Sequence, residues 1–492
     1  MQASHEMVPA ANLADADTQK KMSDENDEDQ PPPGFGESSD AVKEVTQQLE
    51  TTVKVSEGET VDEPDLSLKS GGLREQPEAE ITTKTEGDSI YTAAQKFEDL
   101  PLSPELLKGL YVEMGFKQPS KIQASTLPMI LTPPYKDLIA QAHNGSGKTT
   151  CFVLSMLSRV DPSVPFPQAL CICPTRELVV QNLSVLRRMA KFTTITSTST
   201  ATELEDGGMR RTPIKEQVVV GTHGKLKNWV TKRLLALENV AILVFDEADE
   251  MLKADAFADD SVRLINQLRK KNPKVQLLLF SATFNDEMKR FAMSIARQAN
   301  QVFVAKEKLS LDVIAQYNVR CPDRTSKTRV LKEIIFPNCD RLGQTIIFVR
   351  TREAARTLHA EMDRDGYKCT SISGEKAPED RDRVVQEFRD GTTKVLISTD
   401  VLSRGFDVSQ VTLVINYDVP IERDGRSPAY ETYLHRIGRS GRFGRKGAAF
   451  NLMSTAQDME VMARISSYFN KPIAELKWDD EDQFIEVLNK TL

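Results

Sequence analysis

Residues 137–160 read DLIAQAHNGSGKTTCFVLSMLSRV, and three kinds of chain follow one another there. Asp137–Gln141 is a short apolar run with the length of a buried strand. Ala142–Thr149 (AHNGSGKT) is glycine-rich and ends in Lys-Thr, and apolar residues then return at 152, 153, 156, 157 and 160, at helical spacing. Strand, glycine loop and helix in that order form one unit of a parallel α/β sheet, and the loop has the composition of a phosphate cradle. Gly145, Ser146 and Gly147 let backbone amides approach phosphate oxygens, and the helix N-terminus adds its positive end. Lys148 reaches the β- and γ-phosphates, and Thr149 offers a hydroxyl to Mg²⁺. The usual pattern begins with Gly where this chain has Ala142.

Working outward, short apolar runs alternate with helix-period segments from Phe97 onward. Strands are expected at Asp137–Gln141, Ala169–Cys173, Gln217–Val220, Val240–Phe245 and Val275–Phe280. A second series follows at Thr345–Val349, Lys368–Ile372, Lys394–Ser398, Val411–Asn416 and Ala448–Met453. Lys306–Arg324 has no strong period and joins two α/β blocks of about 200 residues each. The expected domains are residues 91–309 and 310–492. Many of the runs end in polar or Gly-rich residues: Cys173 leads into PTREL, Val220 into GTHGK, Phe245 into DEAD, Phe280 into SAT, Val349 into RT and Ser398 into TD. Ligands of open parallel sheets bind at the carboxyl ends of strands, so these turns mark the ligand surfaces of both blocks.

Asp246-Glu247-Ala248-Asp249 supplies the second half of a nucleotide site. A carboxylate at a strand terminus holds Mg²⁺ opposite Thr149, which assigns Asp246 to the metal. The next one orients and deprotonates the attacking water, which assigns Glu247 as the base. Hydrolysis also needs positive charge at the transferred phosphoryl group. The run His435–Arg442 (HRIGRSGR) of the second block offers Arg439 and Arg442 as arginine fingers, so hydrolysis requires the two domains to close.

The net charge of −8 hides a division: residues 1–90 hold 22 Asp+Glu against 7 Lys+Arg, a balance of −15 that leaves +7 for residues 91–492. Residues 1–90 have too few large apolar residues to offset the entropy of ordering and are expected to be a disordered acidic N-terminal tail. The mildly basic remainder suits a polyanionic partner. Apolar runs such as Val240–Phe245 fall far short of the roughly 18–20 residues of a bilayer-spanning helix, so no membrane insertion is expected. The six cysteines lack zinc or disulfide spacing and read as reduced and intracellular.

The ordered set AHNGSGKT, PTREL, DEAD, SAT, STDVLSRGFD and HRIGRSGR resembles the DEAD-box RNA helicases of superfamily two over residues 97 to about 453. The resemblance implies two tandem RecA-like parallel-sheet domains of α/β class, ATP and Mg²⁺ as cofactors, and single-stranded RNA or mRNP as the partner. It further implies that Phe97 stacks on adenine and Gln123 bonds its edge, and that Gly405 and Asp407 lie near the ribose. Ser281, Thr283 and His435 would couple hydrolysis to strand separation. RNA contacts carry over to Pro174, Thr175, Arg176, Gly208, Thr222 and Gly224 in the first domain. In the second they fall on Thr351, Gln386, Arg389 and Thr399. These are hydroxyls, amides and arginines suited to phosphates and 2′-hydroxyls rather than base edges. The chain departs from the family pattern at His223-Gly224-Lys225, where Pro-Gly-Arg is usual, and at Ser403, Phe406 and Ser440.

Leu110–Met114 running into KQPSKIQ, FSATF at Phe280–Phe284 and RDGRSPAYETY before Leu434 resemble the mRNA-export helicases of the nuclear pore. That likeness implies a monomer, cytoplasmic and nuclear, at the cytoplasmic pore face. It would meet an inositol hexakisphosphate-dependent pore activator on the second domain and a nucleoporin β-propeller on the first. The competing readings are an ATP-gated RNA clamp with slow hydrolysis, acting in translation or ribosome biogenesis, and a DNA helicase.

Overall fold

The computed structural model describes residues 81–85, 91–142, 145–201, 210, 212–252, 257–296, 298–304, 314–338, 343–372, 378–400, 410–441 and 447–491. Among them run two sheets. The first contains β1 (Ile81–Lys84), β2 (Leu138–Gln141), β3 (Ala169–Cys173), β4 (Ser197–Ser199), β5 (Val218–Thr222), β6 (Ile242–Asp246), β7 (Gln276–Ser281) and β8 (Asn300–Val304). Their spatial order is β1-β8-β2-β7-β6-β3-β5-β4. The second contains β9 (Ile314–Arg320), β10 (Gln344–Phe348), β11 (Thr370–Ile372), β12 (Val395–Ser398), β13 (Val411–Asn416), β14 (Gly447–Met453) and β15 (Ala474–Lys477), in the order β11-β12-β10-β13-β14-β9-β15. Every pairing is parallel except β1 with β8. Strands such as ALCIC in β3 and IIF in β10 are buried throughout, because helices cover both faces of a parallel sheet.

All ten expected strands are present within one or two residues. Two expectations are corrected. Ile81–Lys84, assigned to the disordered tail, is an edge strand of the first sheet, paired from Ile81 with Val304 to Lys84 with Gln301. Residues 1–80 and 86–90 of the expected tail lie outside the described residues. Lys306–Arg324, taken as an aperiodic joint, contains the seven-residue strand β9. Its pattern escapes a hydrophobicity reading because Gln316 and Asn318 occupy buried positions. The short strands β4, β8 and β15 were also unforeseen. The expected domain boundary at 309/310 lies outside the described residues.

Register brings functional strand ends level. Gln141 of β2 lies opposite Ser281 of β7, and Phe280 lies opposite Asp246 of β6. The Ala142 amide donates to the Ser281 carbonyl at 3.1 Å, tying the glycine loop to the SAT turn. The turns after β3 and β10 have one construction. Thr175 begins the helix Arg176–Met189 and Thr351 begins Arg352–Arg364, each hydroxyl accepting a backbone N–H two or three residues into the helix.

The helix Pro104–Lys108 continues into a wider π-helical turn, Gly109–Glu113, closed by the Met114 amide on the Gly109 carbonyl at 3.0 Å. A methyl group at Gly109 would overlap the Met189 carbonyl oxygen of the neighbouring helix. Helix propensity alone predicts that Gly109→Ala stabilises by about 1 kcal/mol. Overlap with a backbone carbonyl reverses the sign, and a loss of about 1–3 kcal/mol is expected. Urea unfolding of Gly109→Ala beside the wild type checks this; a raised midpoint would refute the close approach.

Candidate active site

The glycine loop starts at the end of β2 and runs into the helix Lys148–Ser158. Gly145 and Gly147 hold φ of +81° and +97°, a left-handed backbone natural to glycine. Lys148 is buried and donates to the Ala142 carbonyl. A second segment braces the loop from below. Ser120 caps the helix Lys121–Leu131 and donates its hydroxyl to the Ser146 carbonyl at 2.8 Å, while Gln123 Nε2 donates to the Gly147 carbonyl at 3.1 Å. A Cβ at Gly147 would stand 2.5 Å from that same Nε2, so glycine is required there on two counts. The Ser146 hydroxyl is buried and has no hydrogen-bond partner among the described residues, an unusual cost unless a ligand oxygen meets it. Thr149 is the second residue of the helix. His143 and Asn144 lie outside the described residues.

Phe97 corrects an expectation. Its ring has no exposed surface: it is packed in the first core cluster and makes an edge contact with Tyr111 at 6.0 Å. It therefore offers no ring face to a base in this structure. Gln123, expected at the adenine edge, spends its amide on the loop, with Oε1 accepting from the Ser120 amide at 2.9 Å.

Asp246 ends β6, fully buried. Burial, and after it the adjacent Glu247 carboxylate, hold its carboxyl well above the usual carboxylate range. Asn182 Nδ2 donates to Asp246 Oδ2 at 2.8 Å and fixes that oxygen. Asn182 was missed at the sequence level, although a polar residue between Val179 and Leu183 on the buried face of a helix is the available signal. Glu247 follows with φ +53°, a left-handed turn for a non-glycine residue at the point where strand becomes helix.

Asp249, another residue given no role from sequence, joins the two domains. Its Oδ2 accepts from the Thr283 hydroxyl at 2.6 Å and lies 3.5 Å from His435 Nε2. Ser281 donates its hydroxyl to the Thr283 carbonyl at 2.7 Å. One donor atom each from Glu247, Asp249 and His435 falls within 4.8 Å of the others, all three residues being buried. Arg439, in the turn after the His435 helix, is buried and donates through Nε to the His435 carbonyl. Arg442, Gly208, Gly405 and Asp407 lie outside the described residues.

More contacts cross between the domains. Arg176 grips Asp382 with bonds of 2.6 and 2.7 Å, and Arg381 meets Glu177 at 2.9 Å, so two consecutive residues on each side exchange opposite charges. Asn285 donates to Glu431 at 3.0 Å. Of the expected RNA contacts, Thr175 and Thr351 are helix caps, Gly224 and Gln386 are exposed, Pro174, Thr222 and Arg389 are half-buried, and Thr399 is buried behind the end of β12. At the departure from Pro-Gly-Arg, His223 packs edge-on against Phe257 at 4.9 Å and Lys225 reaches the Thr200 carbonyl.

A phosphate loop, a strand-end acid pair and a His–Arg helix from a second parallel sheet thus meet in one cleft. Residues 120–291 match the DEAD/DEAH box helicase family, and residues 326–444 match the helicase conserved C-terminal domain. The chain belongs to the DEAD-box RNA helicases. It is 51% identical over 421 residues to DEAD-box ATP-dependent RNA helicase 38 of Oryza sativa subsp. japonica, covering 85% of this chain and 83% of that one. Among solved structures it is similar to S. cerevisiae Dbp5 bound to RNA and ADP BeF3, with TM-score 0.76, 38% identity, and 81% and 99% of the two chains covered. It is also similar to a Dbp5 variant bound to Nup159, a Gle1 variant, IP6 and ADP, with TM-score 0.56, 36% identity, and coverage of 79% and 100%. As a DEAD-box RNA helicase the chain is an ATP-dependent enzyme.

Glu177 is buried, so removing its arginine leaves a carboxylate stranded in the closed form but solvated once the domains part. Arg381→Ala is therefore expected to disfavour closure by about 3 kcal/mol, more than a hundredfold, without unfolding either domain. Fluorescence transfer between dyes on the two domains, with ATP and RNA present, measures this; an unchanged closed fraction would refute the pairing.

Proposed function

We propose that this helicase binds ATP in its first domain, holds single-stranded RNA across both domains, and couples hydrolysis to local strand separation or protein removal during mRNA export through the nuclear pore. The observation that carries the reading is Asp249, held between Thr283 of the first domain and His435 of the second. A ligand-dependent closure then reaches the hydrolytic residues through direct contact. In this reading Lys148 steadies the β- and γ-phosphates, and amides at Gly145, Ser146 and Gly147, beside Ala142, cradle them. Glu247 accepts the proton of the attacking water. Arg439 and Arg442 bring positive charge from the second domain to the transferred phosphoryl group. Gly405 and Asp407 serve the ribose, and Gln123 serves the loop and the adenine edge.

The residues present fit Mg²⁺. Asp246 has one oxygen fixed by Asn182, Thr149 stands at the second position of the adjoining helix, and the Ser146 hydroxyl has no partner among the described residues. Asp246 and Thr149 would hold the ion, which supplies charge neutralisation on the phosphate oxygens.

For RNA, the Thr175 and Thr351 hydroxyls accept from helix amides, which leaves each O–H hydrogen to donate to a phosphate. With Pro174, Arg176, Gly208, Thr222, Gly224, Gln386, Arg389 and Thr399 they form a backbone-reading set that senses no base sequence. RNA and Asp382 compete for Arg176. Support for mRNA export comes from the Dbp5 structures with RNA and with Nup159, Gle1 and IP6. By that likeness the helicase works as a monomer at the cytoplasmic pore face, with an inositol hexakisphosphate-dependent activator on its second domain and a nucleoporin β-propeller on its first.

Phosphate release with and without single-stranded RNA tests the enzymatic part. RNA is expected to stimulate the wild type at least tenfold, and Glu247→Gln to lower the stimulated rate by about 100-fold or more while nucleotide binding persists. An RNA-insensitive rate would leave only a clamp, and equal stimulation by DNA of the same sequence would remove the RNA assignment. For the export role, depletion of the helicase is expected to retain poly(A) RNA in the nucleus; unchanged distribution would refute it.

A further inference from the structure

Three asparagines stand side by side on three neighbouring parallel strands of the second sheet. Asn416 of β13 lies opposite Asn451 of β14, which lies opposite Asn318 of β9. Asn416 and Asn451 have no exposed surface and Asn318 very little. Buried amides on adjoining strands are costly unless each finds a partner, and here they bond to one another in a single direction. Asn416 Nδ2 donates to Asn451 Oδ1 at 2.8 Å, and Asn451 Nδ2 donates to Asn318 Oδ1 at 3.1 Å and to the Tyr433 hydroxyl at 3.3 Å. Tyr433 in turn donates to Gln316 Oε1 at 2.8 Å. The chain ends there, with Gln316 Nε2 buried and without a hydrogen-bond partner among the described residues.

The direction is set at the other end. Arg436 NH1 donates to Asn416 Oδ1 at 3.2 Å, and a guanidinium has no acceptor to offer. Asn416 must therefore present its oxygen to Arg436 and its amide hydrogens to Asn451, and each later amide follows. Arg436 is itself a hub. Its Nε and NH2 hold the Asp400 carboxylate at 2.6 and 3.0 Å, and its NH1 bonds the Asp418 carbonyl at 2.7 Å. Asp400 adjoins Thr399, while the Asp418 carboxylate accepts from the Arg350 amide at 2.8 Å, next to Thr351. One buried arginine thus ties together the turns after β10, β12 and β13.

We propose that Asn416 and Asn451 are positioning residues that act through Arg436 to set Thr399 and Thr351 at the spacing RNA requires. The inference rests on the RNA reading of those two threonines. Asn318, Tyr433 and Gln316 complete the chain and hold both amides in the one orientation that Arg436 can use. An apolar pair at these positions would pack as well, but it would leave one guanidinium N–H of Arg436 without its acceptor.

The test is RNA-stimulated ATP hydrolysis by the full chain, titrated with single-stranded RNA and separately with ATP. Asn416→Leu and Asn451→Leu are each expected to raise the KM for RNA about fivefold or more, with the KM for ATP and the turnover at saturating RNA within about twofold. Asn451→Gln keeps both an amide oxygen for Asn416 and amide hydrogens for Asn318 and Tyr433, and is expected to stay nearer the wild-type KM for RNA than Asn451→Leu. Folded leucine variants with an unchanged RNA KM overturn the proposal, as does a folded Asn451→Gln impaired as much as Asn451→Leu. Should a leucine variant fail to fold, Asn451→Ser, too short to bridge both neighbours, takes its place. The same rise is expected of it, and no rise overturns the proposal. A wild type whose hydrolysis ignores RNA defeats the RNA reading itself, whereas a stimulated wild type with indifferent ladder variants defeats only the ladder.

Discussion

The Asp249 carboxylate, buried between the Thr283 hydroxyl at 2.6 Å and His435 Nε2 at 3.5 Å, draws its partners from two different sheets. A buried carboxylate is tolerable only while those partners stay in place, because its desolvation cost is not recovered by one side alone. Opening the cleft removes the histidine and admits water, so the carboxylate is sound in either state and poorly served in between. That favours two discrete arrangements over a continuum. Glu247 lies two residues earlier in the same tight turn, held at φ +53°. The position of His435 is thereby felt at Glu247. Ser281, Thr283, Asp249 and His435 form one connected path from the strand end beside the glycine loop to the second domain.

The crossed pairs at the cleft act by a different balance. Arg381 and Glu177 are largely buried, whereas Asp382 remains about half exposed, so its attraction to Arg176 is screened by solvent. The first pair locks the closed form in register, because separating its members there would strand a buried charge. The second is the weaker and is the one that involves an arginine suited to phosphate. A polyanion arriving in the cleft can therefore take Arg176 from Asp382 while the Arg381–Glu177 contact still holds the domains in register.

The ends of strands were the legible part of this molecule. β3 and β13 begin and end where apolar runs predict, and the polar turns after β3, β6, β7, β10 and β12 lie at the carboxyl edges of their sheets as parallel topology demands. What escaped was polar burial. Asn182 beneath Asp246 and Gln316 and Asn318 within β9 are inside the protein because each has a specific partner far away in sequence, and periodicity cannot register such pairings. Asp249 was passed over for a related reason: its role depends on a histidine of the other domain. Phe97 failed in the opposite sense. A residue assigned from resemblance to a base proved to be core, packed by Tyr111, and only the three-dimensional surroundings of the ring distinguish those states.

The two domains repeat a local device and put it to different ends. Pro174-Thr175-Arg176-Glu177 and Arg350-Thr351-Arg352-Glu353 each carry a threonine cap, with φ and ψ of −124° and 157° in the first and −123° and 157° in the second. Each turn presents a hydroxyl and a helix N-terminus at a strand end, which suits a phosphate backbone. Beneath the first turn, Asn182 of the same helix reaches Asp246 and so links that surface to the nucleotide carboxylates. Beneath the second, Arg350 bonds Asp418, whose carbonyl meets the buried Arg436. The first turn is anchored to the chemistry and the second to a polar chain within its own sheet. On the RNA reading proposed above, a strand spanning both would rest on one surface linked to the nucleotide side and another held fixed. That asymmetry would let closure of the cleft strain the strand instead of simply binding it.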